Sequence, residues 1–178
     1  MANTTFDGPV RSRNGFHSIG PGSVIALTAA TDLTVADHAG RIVTMDPVGT
    51  PTAITLPTII ATADGASAGP GSDPNNASTV GTTFEILFID EFTGTISTDG
   101  TDKFVGSVMV GVDDGSKKAF VPAAANDVVN LNGEAGAGNA TKGGLIGSRI
   151  KFTATADNTY MVEGLLIGDG TIVTPFSN

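Results

Sequence analysis

Cysteine is absent from the 178 residues, which excludes disulfides, thiolate chemistry and cysteine-based zinc sites. Tryptophan is also absent, and Tyr160 is the single tyrosine. Sugar-binding platforms and single-strand nucleic-acid platforms are built on such rings, so their scarcity counts against both. Charged residues make up only 15% of the chain, against a typical ~25%. Long bundles and coiled coils, rich in Ala, Glu, Lys, Leu and Arg, are therefore excluded. No run approaches the roughly 18 consecutive apolar residues of a membrane-spanning helix. The opening MANTTFDGPVRSRNGF lacks the apolar stretch of a secretory signal, so synthesis in a cytosol is expected.

What is present is a 40% hydrophobic chain with 24 glycines and nine prolines. That is too apolar for a disordered acidic tail, and a chain this long can bury a core without metals or disulfides. Nine basic residues face 18 acidic ones, for a net charge of -9. Such a surface repels phosphate, so neither nucleic acid nor an anionic membrane is expected as a partner.

Residues 1–20 carry Phe6, Val10, Phe16 and Ile19 among Gly, Pro, Asn and Arg, with no sustained period. They read as an extended arm. Eighteen such residues fully stretched span about 60 Å, against a radius of gyration of about 16 Å for one compact domain of this size. Solvated tails rarely carry this much apolar surface, so the arm is expected to reach a neighbouring molecule.

From residue 21 onward the signals are short β-branched runs bounded by Gly, Pro, Asp and Asn. Strands are predicted over 23–27, 41–45, 53–56, 82–90, 94–97, 104–112, 117–121, 127–131, 149–155, 159–166 and 171–173. In 149–155, Ile150, Phe152 and Ala154 alternate with Arg149, Lys151 and Thr153, the pattern of a strand with one wet face. In 82–90, Phe84, Ile86 and Phe88 point one way and Leu87 and Ile89 the other. That strand is expected to be covered on both faces, centrally in a sandwich or at a subunit contact. Asp99-Gly100, Asp114-Gly115 and Asp169-Gly170 predict hairpin turns, and Asp157-Asn158 a turn between two long strands. A single helical turn at most is expected over 58–63. The fold class is all-β: an antiparallel sandwich or barrel, jelly-roll-like, with one domain over 21–178 and long loops near 64–79 and 132–144.

Sites for chemistry are few. His17 lies in the arm and His38 in a polar turn beside Asp37, an adjacency that is not the cleft geometry of a triad. Glu85, Asp90, Glu91, Glu134 and Glu163 could supply paired carboxylates, but they read as solvated charges and strand ends. The runs from Asp99 to Asp102 and from Asp113 to Ser116 put oxygen ligands on tight turns, which suits Ca²⁺, yet turn preference alone explains them. Gly133, Gly136 and Gly138 do not follow the dinucleotide-binding spacing. The sequons at Asn3, Asn76 and Asn139 accompany no secretory signal. No catalytic, cofactor-binding or metal-ligating residue is singled out, and a non-enzymatic structural part is expected.

Four stretches resemble one family. The opening MANTTFDGPVRSRNGF is similar to the N-terminal arm of head decoration, or capsid cement, proteins of tailed bacteriophages. The segment 41–57, ending Ala-Ile-Thr-Leu-Pro, and the run Gly-Thr-Thr-Phe-Glu-Ile-Leu-Phe over 81–88 resemble its paired strands. Residues 164–177, ending Pro-Phe-Ser, resemble its closing strand. The resemblance implies a protein on the outer surface of the expanded capsid. It implies a homotrimer at threefold positions that stabilises the shell by clamping adjacent subunits of the major capsid protein. By that analogy Thr5, Phe6, Pro9, Val10, Arg11 and Phe16 are the arm's capsid contacts, consistent with strand addition, in which main-chain hydrogen bonds supply affinity. A phage tail, fibre or host-recognition module is the alternative. Its marks would be exposed aromatics, a repeated shaft or a metal cluster at a trimer tip.

Overall fold

The computed structural model describes residues 24–45, 52–60, 79–112, 115–134 and 138–178. Over these the chain is nearly all β, as the short alternating runs predict. The strands are β1 (Val24–Leu27), β2 (Thr31–Asp32), β3 (Ile42–Met45), β4 (Thr52–Thr55), β5 (Thr83–Phe88), β6 (Thr93–Ser97), β7 (Lys103–Gly111), β8 (Lys117–Phe120), β9 (Val128–Asn132), β10 (Arg149–Ala156), β11 (Thr159–Ile167) and β12 (Phe176–Ser177). They form a seven-stranded sheet in the order β1-β3-β5-β10-β11-β7-β8 and a five-stranded sheet in the order β12-β9-β6-β4-β2.

The two sheets share one apolar core. Val43, Met45, Phe84, Ile86, Phe88, Ile150, Phe152 and Val162 come from the larger sheet. Ile54, Ile96, Val129, Leu131 and Phe176 come from the smaller. Period-two alternation drives this: in β10, Ile150, Phe152 and Ala154 are fully buried while Arg149, Lys151 and Thr153 face outward. Tilted ring pairs, Phe104 with Phe152 at 5.3 Å and Phe88 with Phe92 at 5.2 Å between centroids, fill the middle.

The sheets are mixed rather than antiparallel throughout, which departs from the jelly-roll-like expectation. Pairs β1–β3, β3–β5, β2–β4, β4–β6 and β7–β11 are parallel. The reason lies in the winding. From β1 to β6 successive strands alternate between the sheets, so each strand rejoins its own sheet after a pass through the other. A return of that kind brings neighbours back in the same direction, as a parallel pair requires. Only β7–β8 and β10–β11 are hairpins of consecutive strands within the larger sheet.

Turn chemistry follows suit. Gly115 and Asn158 take positive φ at those two hairpins, as the dipeptides predict. Asp99-Gly100 instead carries the chain from β6 to β7, and Asp169-Gly170 lies between β11 and β12, so both join different sheets and are not hairpin turns. Residues 171–173 form no strand; the C-terminal pairing is made by β12 against β9. No helix forms over 58–60. The one helical turn among the described residues is α1, Val35–His38. The Thr34 hydroxyl accepts from Asp37 N–H, and the Thr34 N–H donates to His38 Nδ1 at 3.0 Å, a reciprocal cap.

The segment 132–144 is not a free loop at its ends. Phe92 N–H donates to the Gly144 carbonyl at 2.8 Å, and Gly133 N–H donates to the Phe92 carbonyl at 2.9 Å. Of the segment near 64–79 only Thr79 is described. Its N–H donates to the Ile60 carbonyl and its hydroxyl accepts from Ile60 N–H, which closes the base of that excursion.

Candidate functional site

Thr5, Phe6, Pro9, Val10, Arg11 and Phe16, the arm residues singled out by sequence, lie outside the described residues, as does His17. His38 plays a structural part. It is buried, accepts the Thr34 N–H through Nδ1 and so closes α1. Of the carboxylates, Glu85 and Glu163 line one shallow groove, and each is paired there with a cation. Glu85 pairs with Arg149 and Glu163 with Lys151, both on the outer face of the larger sheet.

Asp99 and Asp102 bind the chain to itself. Asp99 accepts Thr101 N–H at 2.8 Å, Asp102 N–H at 3.2 Å and the Thr58 hydroxyl at 2.9 Å. Burial pushes its carboxyl up, but these donors outweigh burial and hold it below the ordinary range. Asp102 is fully buried. One carboxylate oxygen accepts Ile59 N–H at 2.9 Å, and the other has no hydrogen-bond partner among the described residues. Burial, then the negative charges of Asp99 and Asp157, raises its pKa above 3.8 despite the Ile59 N–H.

That shift fixes the sign of a pH effect. The folded chain holds the Asp102 proton more tightly than the unfolded chain. This group's contribution is therefore full below about pH 4 and is lost as pH rises through the folded pKa. Asp102→Asn removes the titration. The stability of D102N relative to wild type is expected to improve as pH rises from 4 toward 7 and to level off above the folded pKa, measured by urea unfolding at each pH. A difference that stays flat across that range would show that Asp102 titrates alike in both states.

The feature that sets one surface apart is the contrast between the two outer faces of the sandwich. On the five-stranded sheet the outward positions, Val128 apart, are polar or small. Thr55, Thr95, Ser97, Asn130, Asn132 and Ser177 stand there, with Asn130 bonded to Ser177. On the seven-stranded sheet Val24, Ile42, Val105, Met109, Met161 and Leu165 point outward, each between 37% and 48% exposed. Register joins them across the strands. One row runs Ala26, Thr44, Leu87, Arg149, Leu165, Met109, Ala119. The next runs Val24, Ile42, Glu85, Lys151, Glu163, Ser107. A shallow groove follows these rows between Glu85 and Met109.

The inner face of β5 is sealed in the core, as Phe84, Ile86 and Phe88 predict. Its outer face, with Leu87, has no covering layer among the described residues. On β11 only Glu163 marks the outward set in residue order, because its neighbours in phase, Met161 and Leu165, are as apolar as Val162 and Leu166. No family model, curated protein or solved structure matches the chain.

Proposed function

We propose that the chain is a structural, non-enzymatic virion protein that binds the outer surface of the expanded capsid of a tailed phage. In this reading it acts as a homotrimer and stabilises the shell by clamping adjacent subunits of the major capsid protein. Support comes from the resemblance of residues 1–16, 41–57, 81–88 and 164–177 to decoration proteins. One structural observation carries it further. Residues 1–23 lead directly into β1, the edge strand of the seven-stranded sheet. Edge strands present unpaired main-chain groups, the raw material of strand addition. An apolar arm rooted there combines a rigid sandwich with a segment able to pair with another protein.

The mechanism is mass action. A protein that binds only the expanded shell stabilises that state by RT ln(1 + [L]/Kd) per site, and many sites sum. Deleting residues 1–18 is expected to reduce cosedimentation with expanded capsids to background while the far-ultraviolet circular dichroism stays unchanged. Undiminished shell binding by the truncated chain would remove the arm from the mechanism.

A further inference from the structure

We propose that the outer face of the seven-stranded sheet is the surface through which copies of this chain contact one another. The inference goes beyond the proposed homotrimer: identical faces laid together make a twofold contact, which a threefold ring does not contain, so it rests neither on the trimer nor on the shell.

Charge selects a second copy as the occupant. The whole chain carries nine more acidic than basic charges, so two copies repel over most of their surfaces. At the centre of this face Glu85 and Glu163 are matched by Arg149 and Lys151, at 3.9 Å and 3.2 Å. Repulsion between copies is thus small on the face that carries six exposed apolar side chains. The row Glu85, Lys151, Glu163 also alternates in sign across three adjacent strands. An identical row laid against it one strand out of step sets Lys151 opposite a glutamate and a glutamate opposite Lys151. The face is complementary to itself.

The extent is adequate as well. Seven strands spaced ~4.8 Å apart make a face about 29 Å wide. The four central strands have six to nine residues, a length of about 20–30 Å at ~3.3 Å per residue. Because β1, β3 and β8 have four residues each, the face covers about 700 Å² at these spacings, near the ~800 Å² per partner of a standard stable interface. A monomer would leave Val24, Ile42, Val105, Met109, Met161 and Leu165 of this one face in water.

Sedimentation velocity on the full-length chain tests this, with Leu165→Glu and Met109→Glu on the face and Thr95→Glu on the opposite sheet. Wild type and T95E are expected at an even number of chain masses, as a twofold contact requires. L165E and M109E are expected at half the wild-type mass, with unchanged circular dichroism because both side chains point away from the core. The two face variants sit on different strands, so misfolding of one leaves the other to decide. A full-length wild type that sediments as a monomer overturns the inference, and so does a folded L165E or M109E that keeps the wild-type mass. A full-length oligomer that fails to bind capsids would instead overturn the shell reading and leave this surface assigned.

Discussion

Gly133→Ala is expected to destabilise the fold by about 3–5 kcal/mol, although it adds a single methyl group. A Cβ built at Gly133 lies 2.1 Å from the Gly144 carbonyl oxygen, 2.3 Å from its carbon and 2.8 Å from the Phe92 carbonyl oxygen. All three are backbone atoms, so no side chain can swing aside. Relief requires opening the bonds that tie Phe92 to Gly144 and Gly133. Overpacking costs about 1–3 kcal/mol, and each lost backbone bond adds roughly 0.5–1.5 kcal/mol. For a chain of this size 1 kcal/mol moves Tm by ~2–4 °C, so a fall of about 10 °C is expected in a thermal scan. Gly111 provides the control, because a Cβ there meets nothing within 4 Å. If G133A melts within 2 °C of G111A, the close approach at Gly133 is not rigid.

Phe152→Ala is expected to cost about as much, roughly 3–5 kcal/mol, by the opposite route of leaving a cavity. Phe152 is fully buried in the middle of β10, flanked in register by Phe84 on β5 and Val162 on β11, and its ring meets that of Phe104. Thr153→Ala, one residue on and pointing outward, is expected to stay within about 0.5 kcal/mol of wild type. Urea unfolding of both variants measures the difference. Equal midpoints would mean that β10 contributes its two faces alike.

These two sites differ in how plainly the sequence announces them. The alternation around Phe152 predicts its strand and its buried face, because a period of two is written directly into residue order. Gly133 stands in a run of Gly, Ala and Asn whose composition is that of any exposed loop. Only the approach of the Phe92 and Gly144 backbones reveals that glycine is required there. Strand partners are equally hidden. Alternation says which way a side chain points, not whether the next strand in the sheet is reached by a tight turn or by a pass through the other sheet. β2, with two residues, is too short to show any period. α1 depends on a cap between Thr34, Asp37 and His38 within what reads as a polar turn. The outer face of the larger sheet is legible only in part. Leu87 and Ile89 predict a second covered side for β5, but the matching set on β7 and β11 emerges only from register.

The position of the β10–β11 hairpin has a consequence for how the chain is made. It pairs with β5 on one side and β7 on the other, and the residues matched across both contacts lie more than 50 positions apart. Until residues 149–167 leave the ribosome, β5 and β7 have no shared neighbour, and the larger sheet exists as two unconnected parts. Pairings this distant in sequence place folding in the slow, millisecond-to-second regime of high contact order. The hairpin must then insert between two preformed edges. During that interval those edges are open to wrong partners, and nascent chains in a crowded polysome would meet one another before they meet their own C-terminal strands.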